Sequence, residues 1–235
     1  MDRKWEKTEN RFIAFFDVMG FKNLVDFEKH EVVIKLMEEL SEYLKSSIDS
    51  RKFGDNESNL IRTTIFSDSI LIISNNSSID CAANLMIHSA FLFQKALQLN
   101  IPLKACISYG KFTADFDKSL FIGQPLIDAY LLQEELFLYS IILHHSFESF
   151  LANQEYNGLK LSINPRWIKF PTPFKNGKAK HYHLDWFFYV QKEGKFKEQY
   201  HELLLNFYNS VSGKTRAYVD NTLEMFDKMV EKKFK

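Results

Sequence analysis

The feature that most constrains this chain is a carboxylate at the end of an apolar strand. Residues Arg11 to Val18 (RFIAFFDV) form a short, nearly continuous apolar run, which is typical of a strand buried on both faces. Asp17 interrupts this run just before Met19-Gly20 ends it. Because a carboxylate is rarely buried without a partner, the fold has to supply one for Asp17.

A second carboxylate, Asp68, has a similar setting. The segment from Leu60 to Ser74 (LIRTTIFSDSILIIS) is rich in β-forming residues on both sides of Asp68, which predicts two strands joined by a tight hairpin. Aspartates at the ends of separate strands can converge at one edge of a sheet, where their oxygens suit Mg²⁺ or Mn²⁺. The alternative is structural: Asp17 would cap the following helix and Asp68 would only form the turn.

The order of the apolar patterns predicts an α+β fold. Helical spacing over Glu28 to Ser47 and over Asp80 to Leu99 alternates with strand patterns, and a further strand follows at Ile101 to Tyr109. This order, β-α-β-β-α-β, indicates a ferredoxin-like, mostly antiparallel sheet with helices on one face. We expect a main domain over residues 1–190 and a helical C-terminal extension, residues 191–235, packed on it.

The later part of the chain is less regular in pattern. Prolines at positions 165, 171 and 173 predict an irregular segment from Leu159 to Phe174. Lys178 to Val190 then has the pattern of a strand, and two helices are predicted from about Phe196 onward.

Composition argues against several classes of function. The 30 Lys and Arg residues balance 30 Asp and Glu, so no net positive charge favours nucleic acid or an anionic membrane. No apolar run approaches the roughly 18 residues of a membrane span, and the first residues lack the apolar stretch of a secretory signal. Cys81 and Cys106 match neither a disulfide framework nor a zinc pattern. We therefore expect a cytoplasmic protein.

The two aspartate segments together resemble class III nucleotidyl cyclases. FFDVMGFKNLV is similar to the family's first strand, and TIFSDSILIIS is similar to its hairpin with the second aspartate. ACISYG, FIGQPLIDAYLLQEEL and KAKHYHLDW follow in the order of the family's later motifs, so the resemblance covers about residues 11 to 190. The mix of motifs is similar to that of the Pycsar pyrimidine cyclases, bacterial enzymes that make cyclic UMP or cyclic CMP on phage infection.

The resemblance implies two-metal catalysis, in which a nucleoside triphosphate cyclises and releases pyrophosphate. Asp17 and Asp68 would bind two Mn²⁺ or Mg²⁺ ions, together with the backbone carbonyl of Val18. The start of the first helix and a late strand would bind the triphosphate, through Gly20, Phe21, Lys22, Lys178 and Lys180. The two strand lysines are equally well explained as exposed surface residues.

The residues that would read the base depart from the pattern of adenylate cyclases. The Lys and Asp that read adenine in those enzymes fall on or near Thr64 and Leu120, so purine readout of that kind is missing. Candidate readers of a smaller base are Arg62, on the same strand face as Thr64, and Tyr43 on the first helix. Arg62 could equally be a surface residue of its strand, and Tyr43 a core residue on the face of its helix.

A second departure concerns the transition state. The Asn and Arg that stabilise it in the family fall near Asp128 and Leu132, and neither side chain can replace the Arg. An ordinary adenylate cyclase is therefore not expected.

These observations lead to one main expectation. The chain would be a homodimeric pyrimidine nucleotide cyclase that prefers UTP over CTP, with active sites shared between protomers and a cyclic product read by a separate effector. Two alternatives remain: a cyclase-like domain that binds nucleotide without catalysis, and a purine cyclase with unusual base readout.

Overall fold

The computed structural model describes residues 5–49, 60–155, 167–189 and 195–234. The strands of this part are β1 (Thr8–Val18), β2 (Ile61–Phe66), β3 (Ser69–Ser74), β4 (Leu103–Asp115), β5 (Leu120–Ile122), β6 (Ile141–Leu143), β7 (Trp167–Phe174) and β8 (Gly177–Leu184). The helices are α1 (Phe21–Phe27), α2 (His30–Asp49), α3 (Ile79–Gln98), α4 (Gln124–Glu135), α5 (His145–Glu155), α6 (Lys195–Asn206) and α7 (Lys214–Phe234). Short 3₁₀ helices cover Trp186–Tyr189 and Phe207–Ser210. The predicted α+β class and the ferredoxin-like order are confirmed.

The described strands form one 8-stranded sheet with β1 near its centre. The order is β2-β3-β1-β4-β6-β8-β7, and β5 pairs with the end of β4. β1 is antiparallel to both β3 and β4, while β4 and β6 run parallel. This central position accounts for the apolar run that opens the sequence, because β1 is covered on both faces.

The two faces of the sheet carry different helices. Ala14 and Phe16 of β1, with Ile70 and Ile72 of β3, belong to the core that includes α2 and α3. Phe15 and Asp17 alternate to the opposite face, where the ring of Tyr130 on α4 lies 5.8 Å from that of Phe15. The expectation of helices on one face is therefore wrong for α4, which follows β5 and returns across the other side of the sheet.

The prolines of the later segment occupy a regular strand. Pro171 and Pro173 lie in β7, which pairs antiparallel with β8, so an irregular structure is wrong for Trp167–Phe174. β7 is the last strand in the sheet order, and an edge strand tolerates prolines because one side of its backbone needs no ladder partner. The rest of the segment predicted to be irregular, residues 159–166, lies outside the described residues.

The C-terminal helices share the main core. The ring of Phe226 on α7 stacks on that of Trp186 at 5.7 Å, and Tyr200 of α6 contacts the same indole. The hydroxyl of Thr222 on α7 accepts the backbone N–H of Tyr139 at 2.8 Å. The predicted boundary near residue 190 lies outside the described residues. Among the helices that the structure describes, none combines the length and apolar character needed to cross a bilayer.

Candidate active site

The sheet brings Asp17 and Asp68 together at one end of its central strands. Asp17 pairs with Ser69 at the end of the β1–β3 ladder, and Asp68 occupies the turn just before Ser69. The backbone N–H of Val18 donates to the carbonyl of Asp68 at 2.9 Å. The negative charges of the two side chains act on each other. The convergence expected from the sequence is therefore present in a single chain.

Asp17 does not cap the helix that follows it. The N-cap of α1 is Gly20, which has a φ of 76° and makes no side-chain capping hydrogen bond. This conformation is left-handed, and glycine adopts it without strain. The structural alternative for Asp17 is therefore excluded, while Asp68 does lie in the hairpin turn.

The environment of Asp17 disfavours its negative charge. Burial is the main cause that raises the pKa of this carboxyl, and the charges of Asp68 and Glu134 raise it further. The positive charge of Lys104 acts in the opposite direction. A half-buried carboxylate with acidic neighbours favours the arrival of a cation.

Lys104 is the residue of this site that the sequence reasoning missed. It lies directly opposite Asp17 in the β1–β4 ladder and is only 2% exposed. Burial lowers the pKa of its ammonium group, and the charge of Asp17 counteracts this. A signal was available, because a lysine in the apolar strand IPLKACISY is as unusual as Asp17 in its own strand. We call Asp17, Asp68 and Lys104 the aspartate edge.

Two further elements reach the aspartate edge. Glu134, near the end of α4, acts electrostatically on Asp17 and Lys104, and its carboxylate pairs with Lys175 at 3.2 Å. Tyr218 of α7 places its ring 6.0 Å from the Lys104 ammonium. The C-terminal helix therefore contributes a side chain to this edge of the sheet.

The donor atoms at the aspartate edge fit divalent metal ions of the Mg²⁺ and Mn²⁺ type. Asp17 and Asp68 offer hard carboxylate oxygens, and the Val18 backbone adds a carbonyl in the adjoining position. Among the described residues, no cluster of three or more His, Cys, Asp or Glu side chains is arranged to hold a metal. Ions at this edge would therefore take their remaining ligands from the main chain, water or a bound phosphate, as is usual for Mg²⁺.

The predicted base readers lie in two different places. Arg62 and Thr64 share the sheet face of Asp17, since β2 pairs with β3 in register and side chains alternate along a strand. The exposed Arg62 guanidinium lies 4.7 Å from the ring centre of Trp5 and 5.2 Å from that of Phe116. Tyr43 lies instead on α2, where the Lys95 ammonium of α3 is 5.7 Å from its ring.

Leu120 and the predicted phosphate-binding residues are mostly exposed. Leu120 begins β5 and is 41% exposed. Gly20 and Lys22 are exposed and Phe21 is partly buried at the start of α1, directly after the aspartate edge. Lys178 and Lys180 are exposed on β8. The charge that acts on Lys104 from the β7–β8 hairpin is instead that of Lys175, a residue that the sequence did not indicate.

Helix α4 is held close to the sheet where it begins. A Cβ added to Gly123 would lie 2.6 Å from the Lys111 carbonyl oxygen, so only glycine allows this approach. Asp128 accepts a hydrogen bond from Gln124 at 2.8 Å, and Leu132 packs against the core. Gln133 is fully buried, and neither polar atom of its amide has a hydrogen-bond partner in the described part of the chain. Neither Asp128 nor Leu132, the two α4 positions that depart from the family pattern, supplies a positively charged side chain.

Comparison with solved structures identifies the fold. The catalytic core of a rhodopsin-guanylyl cyclase with converted specificity, in complex with ATPαS, matches with a TM-score of 0.52 at 13% identity, covering 76% of this chain and 98% of that one. A bacterial light-regulated adenylyl cyclase matches with a TM-score of 0.51 at 12% identity, covering 86% and 99%. The fold is that of a class III nucleotidyl cyclase catalytic domain. No protein-family model matches the sequence, and a search of curated proteins finds no match.

Proposed function

We propose that this chain is a pyrimidine nucleotide cyclase, which converts UTP, or less readily CTP, to the 3′,5′-cyclic monophosphate and pyrophosphate. The observation that carries the proposal is the aspartate edge in a cyclase-type fold, where two carboxylates meet beside the start of α1. Two Mg²⁺ or Mn²⁺ ions bound there would lower the pKa of the ribose 3′-hydroxyl and neutralise charge on the leaving pyrophosphate.

The residues of the chain have separate roles in this proposal. Asp17, Asp68 and the Val18 carbonyl hold the ions in place. Gly20, Phe21 and Lys22 approach the β- and γ-phosphates after the strand ends, and Lys178 or Lys180 adds positive charge. Positioning of this kind aligns the ribose oxygen with the α-phosphorus before reaction.

The proposed preference for a pyrimidine depends on residues that do not read purines. Thr64 and Leu120 stand where adenylate cyclases use charged side chains, so neither supplies the adenine contacts. The Arg62 guanidinium on the same face can only donate hydrogen bonds, which suits the O4 acceptor of uracil and not the N4 amino group of cytosine. Tyr43 remains a candidate base contact only if it comes from the partner protomer.

We propose further that the active form is a homodimer. Five large apolar side chains of the consecutive elements β5 and α4 are each at least 41% exposed: Leu120, Ile122, Ile127, Tyr130 and Leu131. These residues come from adjoining segments of the chain, and exposed apolar side chains that form a patch are typical of an interaction site. We call these five residues the apolar surface, and a second copy placed on it would bring its own side chains to the same sheet face as Asp17.

The biological role follows the resemblance to Pycsar cyclases. We propose that the cyclic nucleotide is a signal in bacterial antiphage defence, read by a separate effector.

A second candidate function is metal-dependent binding of a nucleoside triphosphate without turnover. Asp128 and Leu132 favour it, since the first already accepts a hydrogen bond from Gln124 and the second lies against the core. Neither position offers a donor to a developing negative charge.

The test is incubation of the purified protein with ATP, GTP, CTP and UTP separately, with Mn²⁺, followed by separation of the products by mass. We expect cyclic UMP as the main product. A cyclic purine product would keep the metal site and refute the pyrimidine preference. Triphosphate binding without any cyclic product, from folded dimeric protein, would favour the second candidate.

A further inference from the structure

The aspartate edge contains a buried charge that metal ligation alone does not explain. Lys104 is 2% exposed on β4, between buried strands. An isolated ammonium group in such a place is costly, so its position has to be maintained by opposite charge. The partner opposite in the ladder is Asp17.

The charges around Lys104 are mainly negative. Asp17, Glu134 and Glu135 attract its ammonium group, and Lys175 opposes them. Asp68 adds negative charge beside Asp17. In the described part of the chain, Lys104 forms no direct ion pair with any single carboxylate, so its charge is shared across the group.

One aromatic residue of the C-terminal helix, Tyr218, lies beside Lys104. The Tyr218 ring lies 6.0 Å from the ammonium nitrogen, at the outer range of a cation–π contact. Tyr218 in turn stacks on Tyr139 at 5.5 Å. The side chain of Lys104, which is 2% exposed, therefore does not extend into solvent.

We propose that Lys104 is a positioning residue, the built-in counter-ion of Asp17, and that a divalent cation binds at Asp17 in competition with it. In the metal-free protein the ammonium group offsets the clustered carboxylates and preserves the fold of the edge. When a divalent cation binds at Asp17, it faces the Lys104 ammonium group across the ladder, and the repulsion between the cation and the ammonium group weakens metal binding. The inference rests on the proposed metal role of the aspartate edge.

The test is the affinity for Mn²⁺ alone, measured by the electron paramagnetic resonance signal of free Mn²⁺, in wild type and Lys104→Met. We expect Lys104→Met to bind Mn²⁺ at least about tenfold more tightly, since a like charge near the ion is removed and even a water-like dielectric leaves a repulsion of this size. Lys104→Arg keeps the positive charge and should therefore show no such gain in affinity. The matched control is Lys175→Met: this lysine is 44% exposed and screened by solvent, so its removal should change affinity by less than about twofold.

Thermal unfolding gives a second readout. Metal-free Lys104→Met should unfold at a lower temperature than wild type. Saturating Mn²⁺ should raise the unfolding temperature of the variant by more than it raises that of wild type. A variant that folds only with Mn²⁺ would also support the proposal. Unchanged or weaker Mn²⁺ binding by Lys104→Met, or failure to fold even with Mn²⁺, would overturn it and leave Lys104 as a purely structural residue.

One more variant separates this inference from the proposed function. Asp68→Asn should lose most of the Mn²⁺ binding seen in wild type. If Asp68→Asn binds Mn²⁺ as wild type does, the metal role of the aspartate edge fails. If Asp68→Asn loses binding and Lys104→Met gains none, the metal role stands and only the role of Lys104 fails.

Discussion

The aspartate edge and a buried histidine in the described part of the chain differ in how completely their polar groups find partners. His183 of β8 is fully buried, with Ser140 at 2.8 Å from Nδ1 and Thr172 at 2.6 Å from Nε2. The Thr172 hydroxyl donates to the Phe170 carbonyl at 3.2 Å, so it accepts from Nε2–H and leaves Nδ1 to accept from Ser140. We call Ser140, Thr172 and His183 the histidine site, and every hydrogen-bonding atom of its imidazole has a partner.

The aspartate edge is satisfied only in part. Among the described residues, the carboxylate of Asp17 and the ammonium group of Lys104 attract each other without forming a direct ion pair. Burial raises the pKa of Asp17. A satisfied network rigidifies and stabilises a core, whereas charges left partly unbalanced at a strand end favour an added ion. The comparison therefore predicts that changes at the aspartate edge alter activity and that changes at the histidine site alter stability.

The largest effect is expected from Asp68→Asn. Turnover should fall at least about a hundredfold at saturating Mn²⁺, since a preorganised electrostatic contact to the reacting groups is lost. The free energy of unfolding should stay unchanged or increase, because repulsion with Asp17 is relieved. Product formation and urea unfolding measure the two quantities.

The control for this prediction is Asp117→Asn, which changes an exposed aspartate of the turn before β5. Its turnover should equal that of wild type. If Asp68→Asn kept more than half of the wild-type rate, Asp68 would belong with the structural residues and the contrast between the two sites would disappear.

A second substitution tests whether another protomer completes the aspartate edge. Leu131 of the apolar surface is 56% exposed, and Leu131→Glu should shift the protein to a monomer and lower turnover about tenfold or more. Leu205→Glu is the control, because Leu205 is a 38% exposed leucine on α6 outside that surface. Size-exclusion chromatography with light scattering reports the oligomeric state. Full activity from a monomeric Leu131→Glu protein would contradict the shared site.

At the histidine site, Ser140→Ala should lower stability without altering the rate of the folded protein. The change leaves Nδ1 of His183 unpaired in a dry interior, which costs about 1–3 kcal/mol. Ser89→Ala is a matched control, because the Ser89 hydroxyl is buried without a hydrogen-bond partner in the described part of the chain. Urea unfolding should show little or no loss for Ser89→Ala. Equal losses for both variants would show that the Ser140–His183 bond contributes nothing specific.

The last prediction is a dependence of stability on pH. Burial lowers the pKa of His183 to about 3, so its imidazole stays neutral in the folded protein at pH values where the unfolded chain is protonated. The unfolded state therefore binds more protons, and stability falls as pH drops below about 6.5. This residue should account for about 2 kcal/mol between pH 7 and pH 5.

Urea unfolding at the two pH values checks this prediction. His30→Gln, which changes an exposed histidine at the start of α2, should leave the pH dependence intact. His183→Gln should lower stability at pH 7 but weaken its decline toward pH 5. An unchanged decline in His183→Gln would assign the pH dependence to other groups.

Local pattern predicted much of the fold because the elements that matter are strongly marked. The hairpin around Asp68 appeared as predicted, with β-forming residues on both sides of a two-residue turn. Prolines misled the interpretation of β7, since their effect depends on whether a strand is central or at an edge, and only the sheet order decides that. The face occupied by α4 was missed for a similar reason, because spacing along a helix does not say which side of a sheet it crosses.

The sequence by itself determined which residues are chemically unusual. Asp17 interrupts an apolar strand and Asp68 separates two β-rich segments, and such charges are visible without coordinates because charge is costly in the interior. Only the tertiary structure decided which charges meet. Lys104 faces Asp17 through the register of β1 and β4, and Tyr218 reaches the same edge from the far end of the chain. Register and long-range packing follow from the burial of whole faces, and no local stretch of sequence contains that information.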